Sequence, residues 1–81
     1  MSEESIYLPK LGMQMQEATV LNWLKSPGDR VASGEPVCVI STDKVEAEIE
    51  SEVDGVLLRI DVPEGGTAAV GASLAAIEVN G

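Results

Sequence analysis

The chain of 81 residues contains no histidine. That removes the usual general base of a hydrolytic triad and every imidazole-ligated metal site. There is one cysteine, so no disulfide can form within the chain, which agrees with a reducing compartment. That residue, Cys38, lies in the apolar run Val37-Cys38-Val39-Ile40 and reads as a buried thiol rather than a reactive one. Phenylalanine is absent, and Trp23 and Tyr7 are the only aromatic residues. A core must therefore come from Val, Ile, Leu and Ala, a composition that favours strands. Positive charge is scarce: 5 Lys and Arg face 14 Asp and Glu, for a net charge of −9. So acidic a surface speaks against nucleic acid or an anionic membrane as partner. No apolar stretch approaches the length of a transmembrane helix. The start, Met1-Ser2-Glu3-Glu4, is too acidic to read as a signal peptide. Gly65-Gly66 has neither the spacing nor the following Lys-Ser/Thr of a phosphate-binding loop.

What is there is a series of short strand-like segments separated by turn residues. Strands are expected over 6–8, 17–25, 30–32, 37–42, 45–54, 56–62, 67–70 and 74–79. Ser26-Pro27-Gly28-Asp29, Ser33-Gly34-Glu35-Pro36 and Pro63-Glu64-Gly65-Gly66 read as turns, in which Pro presets one dihedral and Gly is free to take positive φ. No segment shows a helical period with caps. Residues 1–5 are expected to form a flexible tail, 6–79 a single domain, and 80–81 a flexible end. Trp23 reads as a core residue beside Leu21 and Leu24. Met13 and Met15 lie in a loop, where packing over the core and contact with a partner both remain open.

The chain also repeats itself. Gly28 and Gly65 lie 37 positions apart, as do Gly34 and Gly71. The same shift matches Val20 with Leu57, Leu21 with Leu58, Trp23 with Ile60, Val37 with Leu74 and Ile40 with Ile77. It sets Lys44 against Tyr7. Each half is too small to bury a face alone, so the two must share a core. The expected architecture is all-β, a flattened barrel or sandwich of two four-stranded antiparallel sheets related by an approximate twofold axis.

Between the halves lies the most informative stretch. The apolar run 37–40 leads into Ser41-Thr42-Asp43-Lys44, and a strictly alternating run leads out. In that run Val45, Ala47, Ile49, Ser51 and Val53 are expected to face the core, and Glu46, Glu48, Glu50, Glu52 and Asp54 the solvent. Two strands so closely linked make a β-hairpin with Asp43 and Lys44 at its tip. Asp43 suits the turn because its side chain can bond nearby backbone. Lys44 has no turn propensity. At a hairpin tip it holds one primary amine into solvent, which is what an enzyme needs to acylate one lysine and ignore the others.

Leu8-Pro9-Lys10-Leu11-Gly12-Met13, Trp23-Leu24-Lys25, Pro27-Gly28-Asp29, Gly34-Glu35-Pro36 and Thr42-Asp43-Lys44-Val45 together resemble the lipoyl domain of 2-oxoacid dehydrogenase complexes, above all the amino-terminal domain of the acyltransferase subunit. The resemblance covers residues 6 to 79. It implies that Lys44 carries lipoic acid in amide linkage and that the flanks Asp43 and Val45 are read by a lipoate-protein ligase or lipoyl transferase. It further implies a non-catalytic carrier. Its arm would take acyl groups from a thiamine-dependent 2-oxoacid decarboxylase, or an acetoin-cleaving one, to an acyltransferase core, and would be reoxidised by dihydrolipoamide dehydrogenase. The chemistry would belong to the cofactor and the neighbouring enzymes. Location would be the cytoplasm or the mitochondrial matrix. Glu46 departs from the small or uncharged residue usual at its position. The acidic residues Glu46, Glu48 and Glu50 have two readings, a surface that steers a basic partner and a face that is merely solvated. A biotinyl carrier is the alternative of similar fold, but that family flanks its lysine with methionines. The glycine-cleavage carrier is also similar, with helical segments absent here. An unmodified acidic interaction module is the alternative of a different class.

Overall fold

A computed structural model describes residues 2–13 and 15–79, in eight strands and, among those residues, no helix. The strands are β1 (Ser2–Tyr7), β2 (Glu17–Trp23), β3 (Arg30–Val31), β4 (Pro36–Ser41), β5 (Glu46–Glu50), β6 (Gly55–Ile60), β7 (Thr67–Ala69) and β8 (Ser73–Val79). They form two four-stranded sheets, ordered β1-β8-β6-β3 and β5-β4-β2-β7, with every pairing antiparallel. The sheets stay open at β1, β3, β5 and β7, so of the two expected forms the sandwich is the one found and a closed barrel is not.

The core is aliphatic, as the missing aromatics require. Leu8, Val20, Val37, Cys38, Ile40, Leu57, Leu74 and Ile77 are almost wholly buried. Trp23 is half-buried against this core, with its indole N–H donating to the Val62 carbonyl at 2.8 Å. Met15 packs on the core from the loop after β1, whereas Met13 is 93% exposed.

The repeat is visible as hydrogen bonding. Gly28 N–H donates to Leu57 O at 2.8 Å, and Gly65 N–H to Val20 O at 2.8 Å. Leu57 N–H donates to Asp29 O, and Val20 N–H to Gly66 O. Gly28, Gly34, Gly65 and Gly71 all have φ between 84° and 96°, a region closed to most side chains. Exchanging each strand of the first half with the corresponding strand of the second turns one sheet order into the other. Even the bulges repeat. Leu21 in β2 and Leu58 in β6 are the unpaired residues of their ladders, as are Val37 in β4 and Leu74 in β8. An extra residue reverses the facing of the residues beyond it. Leu21 and Leu58 are accordingly exposed and Val37 and Leu74 buried.

Several expectations are corrected. Residues 2–5 are not a tail, because Ser2, Glu3, Glu4 and Ser5 pair with Val79, Glu78, Ile77 and Ala76 in the ladder with β8. Ser2, Glu3 and Glu4 are all exposed, so this end of the edge strand is solvated on both faces, in keeping with its polar composition. Met1, Gln14, Asn80 and Gly81 lie outside the described residues, and with them the expected end at 80–81. The alternating run is strand only from Glu46 to Glu50. Asp54 is not simply solvated, since its carboxylate accepts the Ser33 N–H at 2.7 Å and braces the neighbouring turn. The shift of 37 positions does not extend to β1 and β5. Leu8 N–H donates to Ala72 O as Ser51 N–H donates to Glu35 O, so Leu8 matches Ser51 rather than a residue 37 positions on. The longer loop before β2 accounts for the difference, and the pairing of Lys44 with Tyr7 falls away.

Turn chemistry explains the remaining motifs. The Asp29 carboxylate accepts the Ser26 N–H at 2.8 Å, closing the Pro27-Gly28 turn. The Glu35 carboxylate accepts the Ala32 N–H at 3.0 Å and pairs with Lys25 at 3.1 Å. The Ala32 amide first, and Lys25 second, hold the Glu35 carboxyl below its ordinary value. Gly55 opens β6 where β8 passes closest. A Cβ there would overlap the Glu78 carbonyl oxygen and come within 2.7 Å of Ile77 Cγ2, so no larger residue fits without moving backbone.

Candidate lysine attachment site

β4 and β5 pair as far as Ser41 and Glu46, leaving Thr42, Asp43, Lys44 and Val45 as the tip of the hairpin. Buried Val37, Cys38 and Ile40 on one arm and Ile49 on the other fix the hairpin to the core. Thr42 N–H donates to Val45 O at 2.8 Å and closes the turn. Thr42 Oγ1 lies 3.2 Å from Val45 N and 3.4 Å from Lys44 N, accepting from both, and 3.3 Å from Val45 O. Ser41 Oγ donates to Thr42 O at 3.2 Å.

Lys44 is exposed and takes part in none of the ion pairs among the described residues. It borders an open cleft whose other walls include Met13 and Met15 of the loop after β1, Thr19 of β2 and Thr67 of β7. The amine is thus sterically free and carried by a braced backbone. Lys10 is exposed in the loop after β1. Lys25 is half-buried and tied to Glu35. An acyl acceptor needs an unencumbered amine in a defined direction, and Lys44 meets both conditions.

The flanks differ from expectation. Asp43 is exposed, and its side chain makes no hydrogen bond among the described residues. The bracing expected of Asp43 falls to the Thr42 hydroxyl. Both residue types bracket turns, so the residue types alone carry no signal that picks the Thr42 oxygen over that of Asp43. Val45, expected to face the core, is 50% exposed because β5 begins one residue later. Glu46, Glu48 and Glu50 are exposed on β5, an edge strand, and no cation pairs with them among the described residues. Glu48 and Glu50 also border a smaller cleft between the edges of β1 and β5, floored by Ile6, Ile49 and Ile77 and rimmed further by Glu4 and Glu52. No group of three or more His, Cys, Asp or Glu among the described residues is placed to hold a metal.

Comparison with known proteins accords with this geometry. The family model described as biotin-requiring enzyme, which covers biotin and lipoyl attachment, matches residues 4–77. The chain is 47% identical over 74 residues to the acetyltransferase component of the pyruvate dehydrogenase complex of Mycobacterium tuberculosis, covering 91% of this chain and 13% of that protein. It is 37% identical over 81 residues to the lipoamide acyltransferase component of the branched-chain alpha-keto acid dehydrogenase complex of Bacillus subtilis, covering 100% and 19%. The chain thus spans under a fifth of the length of these relatives. Among solved structures, the lipoyl domain of the 2-oxoglutarate dehydrogenase complex from Azotobacter vinelandii superposes with a TM-score of 0.76 at 35% identity, covering 95% of this chain and 98% of that one. Urea carboxylase of Kluyveromyces lactis contains the same fold, with a TM-score of 0.80 at 20% identity over 96% of this chain and 6% of that one.

Proposed function

The chain belongs to the biotin/lipoyl attachment family, as a lipoyl domain of the kind found in 2-oxoacid dehydrogenase acyltransferases, and from that premise we propose that Lys44 is its attachment residue, taking lipoic acid in amide linkage. The observation that carries the assignment is the position of Lys44. It is an exposed amine at the tip of the hairpin that joins the two halves, beside an open cleft and outside the ion pairs among the described residues. The reaction is acyl transfer from activated lipoate. The Lys44 amine attacks the carboxyl carbon, the activating group leaves, and the amine gives up a proton. Exposure of the tip lets the ligase surround the lysine, and the hairpin arms hold its direction.

The bound group would supply a disulfide that accepts two electrons and an acyl group. The rest of the chain works by presentation. Its fold holds the attachment point clear of the sheets, and the cleft leaves room for the arm to move. The partners on this reading are a lipoate-protein ligase, a thiamine-dependent decarboxylase, an acyltransferase core and dihydrolipoamide dehydrogenase. A tethered arm raises the effective concentration of its cargo at each of them. The domain is a carrier rather than a catalyst, and its compartment is that of such a complex.

Intact mass after incubation with a lipoate ligase, ATP and lipoate tests the assignment. Wild type should gain one lipoyl group, and Lys44→Gln none although Lys10 and Lys25 remain. A lipoyl adduct on Lys44→Gln would sink it. Biotinylation of wild type by a biotin ligase, without lipoylation, would favour the biotinyl reading that the family also covers.

A further inference from the structure

An antiparallel hairpin usually ends on a pair of residues that exchange two backbone hydrogen bonds. Thr42 and Val45 exchange one. Thr42 N–H reaches Val45 O at 2.8 Å, but Val45 N–H goes to the Thr42 hydroxyl at 3.2 Å instead of the Thr42 carbonyl. That carbonyl accepts from Ser41 Oγ at 3.2 Å. The same hydroxyl is 3.4 Å from Lys44 N, so one side-chain oxygen gathers the N–H groups of the lysine and of its successor.

We propose that Thr42 is a positioning residue for the modification of Lys44: its hydroxyl sets the direction in which the tip presents the amine to the lipoylating enzyme. The inference rests on the reading of Lys44 as the attachment residue. With both N–H groups held from one side, the peptide planes flanking Lys44 cannot rotate independently, and its Cα–Cβ bond keeps one heading. The hydroxyl is not needed to satisfy buried groups. Lys44 and Val45 are exposed, and water would replace it at their amides. Its loss should cost the fold little and the orientation of the tip much. An acceptor displaced by about 1 Å in an enzyme site is enough to slow group transfer severely.

The test compares wild type with Thr42→Val, which swaps the hydroxyl for a methyl group, and Thr42→Ser, which restores the hydroxyl. Each is assayed by intact mass for kcat/KM with a lipoate ligase, by hydrogen exchange at the Lys44 and Val45 amides, and for Lys44 acetylation by a small activated ester. Thr42→Val should keep the wild-type circular dichroism, exchange faster at both amides and react with the ester at the wild-type rate. Its ligation should fall about tenfold or more, and Thr42→Ser should recover most of it. Ligation of Thr42→Val at the wild-type rate would overturn the proposal, as would failure of Thr42→Ser to recover. Loss of the fold in Thr42→Val would also overturn it, because the hydroxyl would then serve the whole domain. If wild type itself takes no lipoyl group, the assignment of Lys44 is what fails.

Discussion

A lysine is selectable when its backbone limits where the amine can go. The three lysines differ in this respect. Lys25 is held by Glu35 and Lys10 sits in a loop, while Lys44 rides on a turn closed at 2.8 Å. The place of Lys44 at the hairpin tip is legible from the sequence because an apolar run and an alternating run converge on it. The brace is not, because Thr42 and Asp43 are both turn-bracketing residues and sequence alone does not choose between their oxygens. Cys38 shows the same scale working through burial. It is fully enclosed, and desolvation pushes its thiol from about 9 up to about 11. The unfolded chain therefore loses its thiol proton first as pH rises. The stability linked to Cys38 is fully present below about pH 9 and is lost as pH climbs to about 11. Urea unfolding across that range should show a decline of order 2 kcal/mol, reduced in Cys38→Ala beyond the constant cost of the cavity. An equal slope in both proteins would refute the linkage. The folded thiol should also resist alkylation at pH 8, when measured by mass.

At the scale of the element, β5 carries its charges on one side and its anchors on the other. Glu46, Glu48 and Glu50 are exposed, Ile49 is buried and Ala47 half-buried. The alternation predicts this facing correctly and the length of the strand wrongly. Ser51 is buried as the alternation predicts, but the chain bends at Glu52 and Val53, where the Ser51 hydroxyl donates to Val53 O at 2.6 Å. A period of two does not register a side chain that bonds its own backbone. The start of β1 escapes the sequence pattern for a related reason. Ser2-Glu3-Glu4-Ser5 has no apolar alternation to read, and its strand character comes from the β8 ladder alongside it. The acidic face follows from these placements. Replacing Glu46, Glu48 and Glu50 together with Gln should leave the melting temperature nearly unchanged, since none of them pairs with a cation among the described residues. It should slow acyl loading of the lipoylated domain by a thiamine-dependent decarboxylase severalfold at low ionic strength, with the difference fading as salt screens it. Equal loading rates at every salt concentration would leave these residues as a solvated face.

At the scale of the molecule, the two halves of the sequence are not two halves of the structure. β1–β4 send β1 and β3 to one sheet and β2 and β4 to the other, and β5–β8 divide in the same way. Four of the six strand pairs therefore join one half to the other. Among the described residues, only β2 and β4 pair within the first half, and only β6 and β8 within the second. A two-stranded ribbon is at best marginally stable in water, and the aliphatic core has members from both halves. The glycine turns make the repeat readable, but sequence similarity cannot say whether repeated halves stack or interlock, and here the ladders interlock. Fragments 1–43 and 44–81, divided at the hairpin tip, should each lack the far-ultraviolet signal of a sheet and show no cooperative melting. The intact chain should unfold in one transition, with tryptophan fluorescence and circular dichroism coincident. Mixing the fragments should restore the sheet signal, because the four cross-half ladders need no covalent link at the tip. Cooperative unfolding of either fragment alone would show that half to carry its own core, against the interlocked arrangement of the strands.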